Sequence, residues 1–164
     1  MRQWDLGLSQ GAHEELEMVR VMTLDAYDEV WELWNSIHGF GLRSLDESME
    51  GIERFLKRNP TTSVVDIEDG KIVGAILCGH DGRRACLYHV CVNEKYRMHG
   101  IGKKMVGFCC EKLKEEHISK VCLNAFVTNV VGNKFWQKMN WTRRDDMYYY
   151  DFALNEDNKT VFVP

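Results

Sequence analysis

Arg97, Gly100 and Gly102, within the stretch NEKYRMHGIGKK from Asn93 to Lys104, have the types and spacing of an anion-binding turn. An apolar run, ACLYHVCV, comes before them and a segment with helical periodicity comes after. Glycines here remove the Cβ atoms that would keep an anion at a distance. The first N–H groups of the following helix have no intrahelical partner, so they point at whatever occupies the turn. Arg97 and Lys103 add charge-assisted donors at the same place, and a diphosphate suits such a cradle. A glycine pattern this short also serves as a plain corner between strand and helix, and the residues alone leave both readings open. Two other phosphate cradles are excluded, because the chain has neither G-x-x-x-x-G-K-[ST] nor G-x-G-x-x-G with an acidic residue on the next strand.

Sulfur chemistry has less support. Cys109 and Cys110 are adjacent, yet no histidine or carboxylate is spaced to activate either, so core packing accounts for them. The six cysteines, at positions 78, 86, 91, 109, 110 and 122, all fall in apolar strands or a helix and show no C-x-x-C spacing. They read as buried, reduced thiols. With no zinc spacing among the cysteines and histidines, no metal is expected.

The elements that position the turn follow from periodicity. LEMVRVM reads as a first strand. TLDAYDEVWELWNSI spaces Tyr27, Val30, Trp31, Trp34 and Ile37 as the core face of a helix. Ser44 and Glu47 have the spacing of a capping box for a second helix that ends at Asn59-Pro60. Asp69-Gly70 and Asp81-Gly82 then punctuate three antiparallel strands. After the glycine turn, Ile101, Met105, Val106, Cys109, Cys110 and Leu113 mark the buried face of a third helix. KVCLNAF, NVVGNKFWQKM and MYYYDFAL read as strand, helix and last strand. The order βααβββαβαβ predicts an α/β fold, with a mixed, mostly antiparallel central sheet and helices on both faces. One domain spans residues 16–164, and residues 1–15 lie outside the pattern as a flexible extension.

Composition narrows the function. Apolar residues form 45% of the chain and charged ones 28%, too hydrophobic a mixture for disorder. No apolar run is long enough to cross a membrane, and the first residues lack a signal peptide's basic and apolar regions, so a soluble, cytoplasmic protein is expected. A net charge of −4 gives no basic field for nucleic acid.

The stretch HVCVNEKYRMHGIGKKMVGF, followed after a strand by NVVGNKFWQKMNW, resembles the signature of the GNAT superfamily of acetyl-CoA-dependent N-acetyltransferases. Arg97, Gly100, Gly102, Asn129, Phe135-Trp136 and Asn140-Trp141 fill the family's positions, and the likeness runs from about Leu16 to Tyr150. The resemblance implies the acyl-CoA N-acyltransferase fold, acetyl-CoA as co-substrate, and a small-molecule or protein amine as acceptor. It also implies that the Val90 N–H polarises the thioester carbonyl and that the Val92 backbone and Asn129 meet the pantetheine arm. Backbone N–H groups of Met98, His99, Gly100, Ile101, Gly102 and Lys103 would wrap the pyrophosphate, with Lys134 or Lys138 toward the nucleotide. In the family the last strands often form a homodimer.

Two family features are missing. No Glu stands on the strand before the turn, and Trp136 occupies the cofactor-side position where many members have a Tyr acid. An amine acceptor must lose a proton before it attacks, so a base is needed. The candidates are His89, His80 and Asp81, each of which also reads as an ordinary strand or turn residue. With those features missing, a non-catalytic acyl-CoA-binding or sensing module is the alternative reading.

Overall fold

The computed structural model describes residues 19–164. The expected N-terminal extension and the first residues of the first strand therefore lie outside the described residues. Strand β1 (Val19–Val21) leads through a 3-10 turn into helix α1 (Tyr27–Asn35), then a short strand β2 (Gly41–Arg43) and helix α2 (Met49–Arg58). Strands β3 (Val64–Glu68), β4 (Lys71–His80) and β5 (Ala85–Val92) form the expected meander. Helix α3 (Ile101–Glu115), strand β6 (Val121–Leu123), helix α4 (Val130–Lys138) and strand β7 (Thr160–Phe162) complete the chain. The central sheet has the order β1-β3-β4-β5-β6, antiparallel except for the β5–β6 pair.

Alternation along the strands divides the core in two. Val65, Ala75, Leu77 and Cys91 face α1 and α2, where they meet Val30, Leu33, Trp34, Ile52 and Leu56. Val64, Ile76, Cys78, Ala85 and Leu87 face α3, where Ile101, Met105, Val106, Cys109 and Leu113 are buried as their spacing predicts. The expected sheet with helices on both faces is the one observed.

Four local expectations are corrected. Helix α2 is capped by Ser48, whose side chain accepts from Gly51 N at 3.1 Å, so Ser44 and Glu47 are released from capping. On α1 the core face is Val30, Leu33 and Trp34, while Trp31 is 38% exposed and stacks on Tyr27. Residues 147–154 form no strand, and Tyr148, Tyr150, Phe152 and Leu154 are exposed. The last strand is instead β7, which pairs antiparallel with β2 as a separate two-stranded sheet. The bonds made by the C-terminal segment concentrate at residues 157–163, which tie it to the loop around β2.

Cysteine burial is the fourth correction. Cys78, Cys91 and Cys109 are buried as expected, Cys86 and Cys110 are half-buried, and Cys122 is exposed. Burial pushes the Cys91 thiol up to about 12 and the Cys86 thiol up to about 11. Since the thiolate is the reactive form, a thiol-alkylating reagent at pH 8 is expected to modify Cys122 first. Cys78, Cys91 and Cys109 should react only on unfolding, as peptide mass mapping over time would show.

Candidate active site

The site is built where β5 loses its neighbours. Ala75 pairs with Cys91 and Leu77 with Tyr88, so His89 and Val90 together oppose the single residue Ile76. This is a β-bulge, and His89 takes a left-handed φ of 50° to make it. On its other side β5 pairs with β6 only from Ala85 to Leu87, and beyond that it continues to Val92 without a neighbour. The bulge therefore lies beyond the point where the parallel strand β6 ends. Neither His89 nor Val90 has a partner in the β4 or β6 ladder.

Beyond β5 in the chain comes the glycine turn. Gly100 is the N-cap of α3 with φ of 79°, and a Cβ built there would meet no atom within 4 Å. Among the described residues, the N–H groups of Met98, His99, Gly100, Ile101, Gly102 and Lys103 find no acceptor. These residues fit an anion, because successive unpaired donors stand beside a position where a side chain would meet no protein atom. Gly102 has a second task. A Cβ on it would stand 3.2 Å from the Phe135 ring, so the missing side chain lets α4 pack against α3.

Cations around the turn are not equivalent. Arg97 donates through Nε to Val92 O at 3.0 Å and has Glu94 at 3.8 Å, so part of its guanidinium and the Val92 carbonyl are already engaged. Lys104 leans away to the buried Asp66 at 3.6 Å and to Glu68 at 3.9 Å. Burial raises the Asp66 carboxyl above its usual range, opposed by the Lys104 charge. Among the described residues Lys103, Lys134 and Lys138 form no ion pair and stay exposed. Asn129 is the N-cap of α4, its Oδ1 accepting from Gly132 N at 2.9 Å, and its amide nitrogen has no partner among the described residues. Trp136 packs between Phe135 and Trp141 at ring separations of 4.9 and 4.6 Å.

The three base candidates separate. His80 and Asp81 lie at the β4–β5 hairpin, where His80 Nδ1 accepts from Gly82 N at 3.1 Å. Asp81 accepts from the N–H groups of Arg83 and Arg84, both at 2.8 Å. Those donors, Arg84 first, hold the exposed Asp81 carboxyl below its usual range. Since His80 pairs with Ala85, four residues before His89, both lie roughly 13 Å down the strand from the bulge. The structure does not bring them to it.

His89 is held there by a wall of rings. Trp34 lies 5.2 Å and Phe40 5.0 Å from the imidazole, centroid to centroid. Nε2 is 2.9 Å from Oε1 of Glu47, whose side chain is 8% exposed. Glu47 is the residue that sequence reasoning missed. Its spacing from Ser44 matches a capping box, and nothing in the sequence ties it to β5, 42 residues away.

A family model described as the acetyltransferase (GNAT) family matches residues 24–141. The chain belongs to this family. An acetyltransferase of Sodalis glossinidius is 28% identical over 141 residues, covering 86% of this chain and 98% of the relative. Among solved structures, a ribosomal-protein-alanine N-acetyltransferase from Brucella melitensis superposes with a TM-score of 0.62 at 20% identity, over 82% of this chain and 98% of the other. PaiA N-acetyltransferase from Thermoplasma acidophilum, solved in complex with coenzyme A, gives a TM-score of 0.63 at 16% identity, over 74% of this chain and 86% of that one.

This GNAT chain is an acyltransferase, and its bulge and glycine turn lie inside the matched span. Glu47 lies inside it too, but the β2–β7 brace does not, because β7 falls beyond residue 141. Among the described residues no three His, Cys, Asp or Glu side chains gather as metal ligands, and no helix is long and apolar enough to cross a membrane.

Proposed function

We propose that the chain transfers an acetyl group from acetyl-CoA to a primary amine, of a small molecule or a protein, by direct attack in a ternary complex with no acyl-enzyme. The observation that carries this reading is the bulge at His89-Val90, beyond the end of β6 and on the strand that leads into the glycine turn. Acetyl-CoA would supply an activated carbonyl and a thiol leaving group. The N–H groups from Met98 to Lys103 would hold its pyrophosphate, Asn129 and the β5 backbone its pantetheine arm, and Lys103, Lys134 or Lys138 its nucleotide phosphate.

The residues then divide the work. The Val90 N–H, free of the β4 ladder, would donate to the carbonyl oxygen, where a donor of this kind is worth ~3 kcal/mol as charge develops. His89 takes the proton from the incoming ammonium, since imidazole titrates in the range where an amine must be unmasked. Departure of the thiol needs no dedicated acid, because a typical thiol pKa of ~8.5 lets thiolate leave near neutral pH. That suits Trp136, whose indole N–H cannot act as a titrating acid.

An acceptor panel of amino acids, polyamines, aminoglycosides and peptides with free N-termini or lysines, read by thiol release from acetyl-CoA, tests the reading. Thiol release with stoichiometric acetylation of one class is the expected result. Binding of acetyl-CoA with no thiol release across the whole panel would sink it.

A further inference from the structure

Glu47 has both carboxylate oxygens committed. Oε1 meets His89 Nε2 at 2.9 Å, and Oε2 accepts the backbone N–H of Arg43. Its backbone is fixed as well, with the N–H donating to Arg43 O at 3.2 Å and the carbonyl accepting from Tyr27 Oη at 3.0 Å. A carboxylate only accepts hydrogen bonds, so the hydrogen between Glu47 and His89 belongs to Nε2. In the neutral ring that leaves Nδ1 with its lone pair, and Nδ1 has no partner among the described residues. A base needs that state, with one nitrogen pinned and the other bare.

The loop carrying Glu47 is held from the far end of the chain. Asn158 Oδ1 accepts from Leu45 N and Asp46 N at 3.0 and 3.3 Å, while its Nδ2 donates to Asp46 Oδ2 at 2.8 Å. Ser44 exchanges bonds with the same segment, through Oγ to Asp157 O at 2.9 Å and through N to Lys159 O at 2.9 Å. The next residues pair as β7 with β2, and Val163 accepts from Gly39 N and donates to the carbonyl of Phe40, whose ring walls His89.

We infer that Glu47 is a positioning residue that fixes the tautomer and ring orientation of His89, and that Asn158 holds Glu47 in place to do so. This rests on His89 being the base, as proposed above. The C-terminal segment then contributes to catalysis through its hold on Glu47.

The titratable groups around the imidazole make the effect readable. Trp34 from α1 and Phe40 from the following loop carry no charge, and Glu47 is the charged group in contact. Tyr27 reaches Glu47 through the carbonyl, and the Arg43 guanidinium pairs with Asp46 at 3.7 Å. Glu47 is thus the charged group that acts on the imidazole, and it does so through a hydrogen bond.

The test compares Glu47→Gln, Glu47→Asp, Asn158→Ala and His89→Gln by pH–rate profile with the identified acceptor, beside long-range nitrogen NMR of the wild-type imidazoles. Glu47→Gln is expected to lower kcat tenfold or more at an unchanged KM for acetyl-CoA. Glu47→Asp should restore much of kcat, Asn158→Ala should lower kcat by less than Glu47→Gln does, and the wild-type His89 should be the Nε2–H tautomer. A Glu47→Gln enzyme with wild-type kcat overturns the inference, as does an Nδ1–H tautomer, which needs no variant to fold. His89→Gln keeps the two readings apart: if it retains the wild-type rate and pH profile, the base assignment itself falls.

Discussion

Gly100→Val is expected to raise the KM for acetyl-CoA by about 100-fold, close to 2.7 kcal/mol of binding, while the protein still folds. The backbone at Gly100 has φ of 79°, and a Cβ there meets no protein atom within 4 Å. In the free protein the new side chain therefore costs only left-handed strain, about 1–2 kcal/mol, or a few degrees of Tm at about 2–4 °C per kcal/mol. The space it enters lies amid the unpaired N–H groups of residues 98–103. Gly82 provides the control, since its φ is 86° and its Cβ also meets nothing within 4 Å, but it sits at the β4–β5 hairpin. Gly82→Val should lose similar stability and leave KM unchanged. KM values and melting curves for both variants decide the matter, and equal KM effects would mean that the glycine turn is only a corner.

The parts of this site that sequence reasoning reached are those encoded locally. The glycine turn, the hairpin dipeptides and the buried face of α3 are each specified within a few residues by backbone conformation or by a 3.6-residue period, and the structure repeats them. Glu47 stands 42 residues from His89, and no spacing rule connects a loop before one helix to a bulge on a strand. The local rule even misled, because Ser44 and Glu47 match a capping box while the adjacent Ser48 is the residue that caps α2. Residues 147–154 show the same limit in another form. Their aromatic side chains favour strands, but a strand needs a partner, and the segment's bonds are made by residues 157–163 at β2 instead. Local preference states what a segment can become, and the partner available in the fold determines whether it does.

Trp34→Ala is expected to have the largest effect on stability, about 3–5 kcal/mol, a large share of the 5–15 kcal/mol typical of a domain. Trp34 is fully buried between α1 and the sheet, stacked on Phe40 at 6.4 Å and set against His89 at 5.2 Å. Its removal leaves a cavity under the imidazole, so the folded fraction should also lose activity as His89 gains freedom to turn. Trp34→Phe separates volume from polarity. Because Nε1 finds no acceptor among the described residues, the smaller ring forfeits packing but no hydrogen bond, and the cost should fall to about 1–2 kcal/mol. Trp31 sits three residues earlier on the same helix at 38% exposure, stacked on Tyr27 near the surface, so Trp31→Ala should cost under about 1 kcal/mol. Denaturant midpoints at constant m-value give the order. If both tryptophans lay on the core face, as their spacing suggests, the two alanine variants would be equally unstable; a clear separation between them is the outcome that the half-exposed Trp31 and the enclosed Trp34 require.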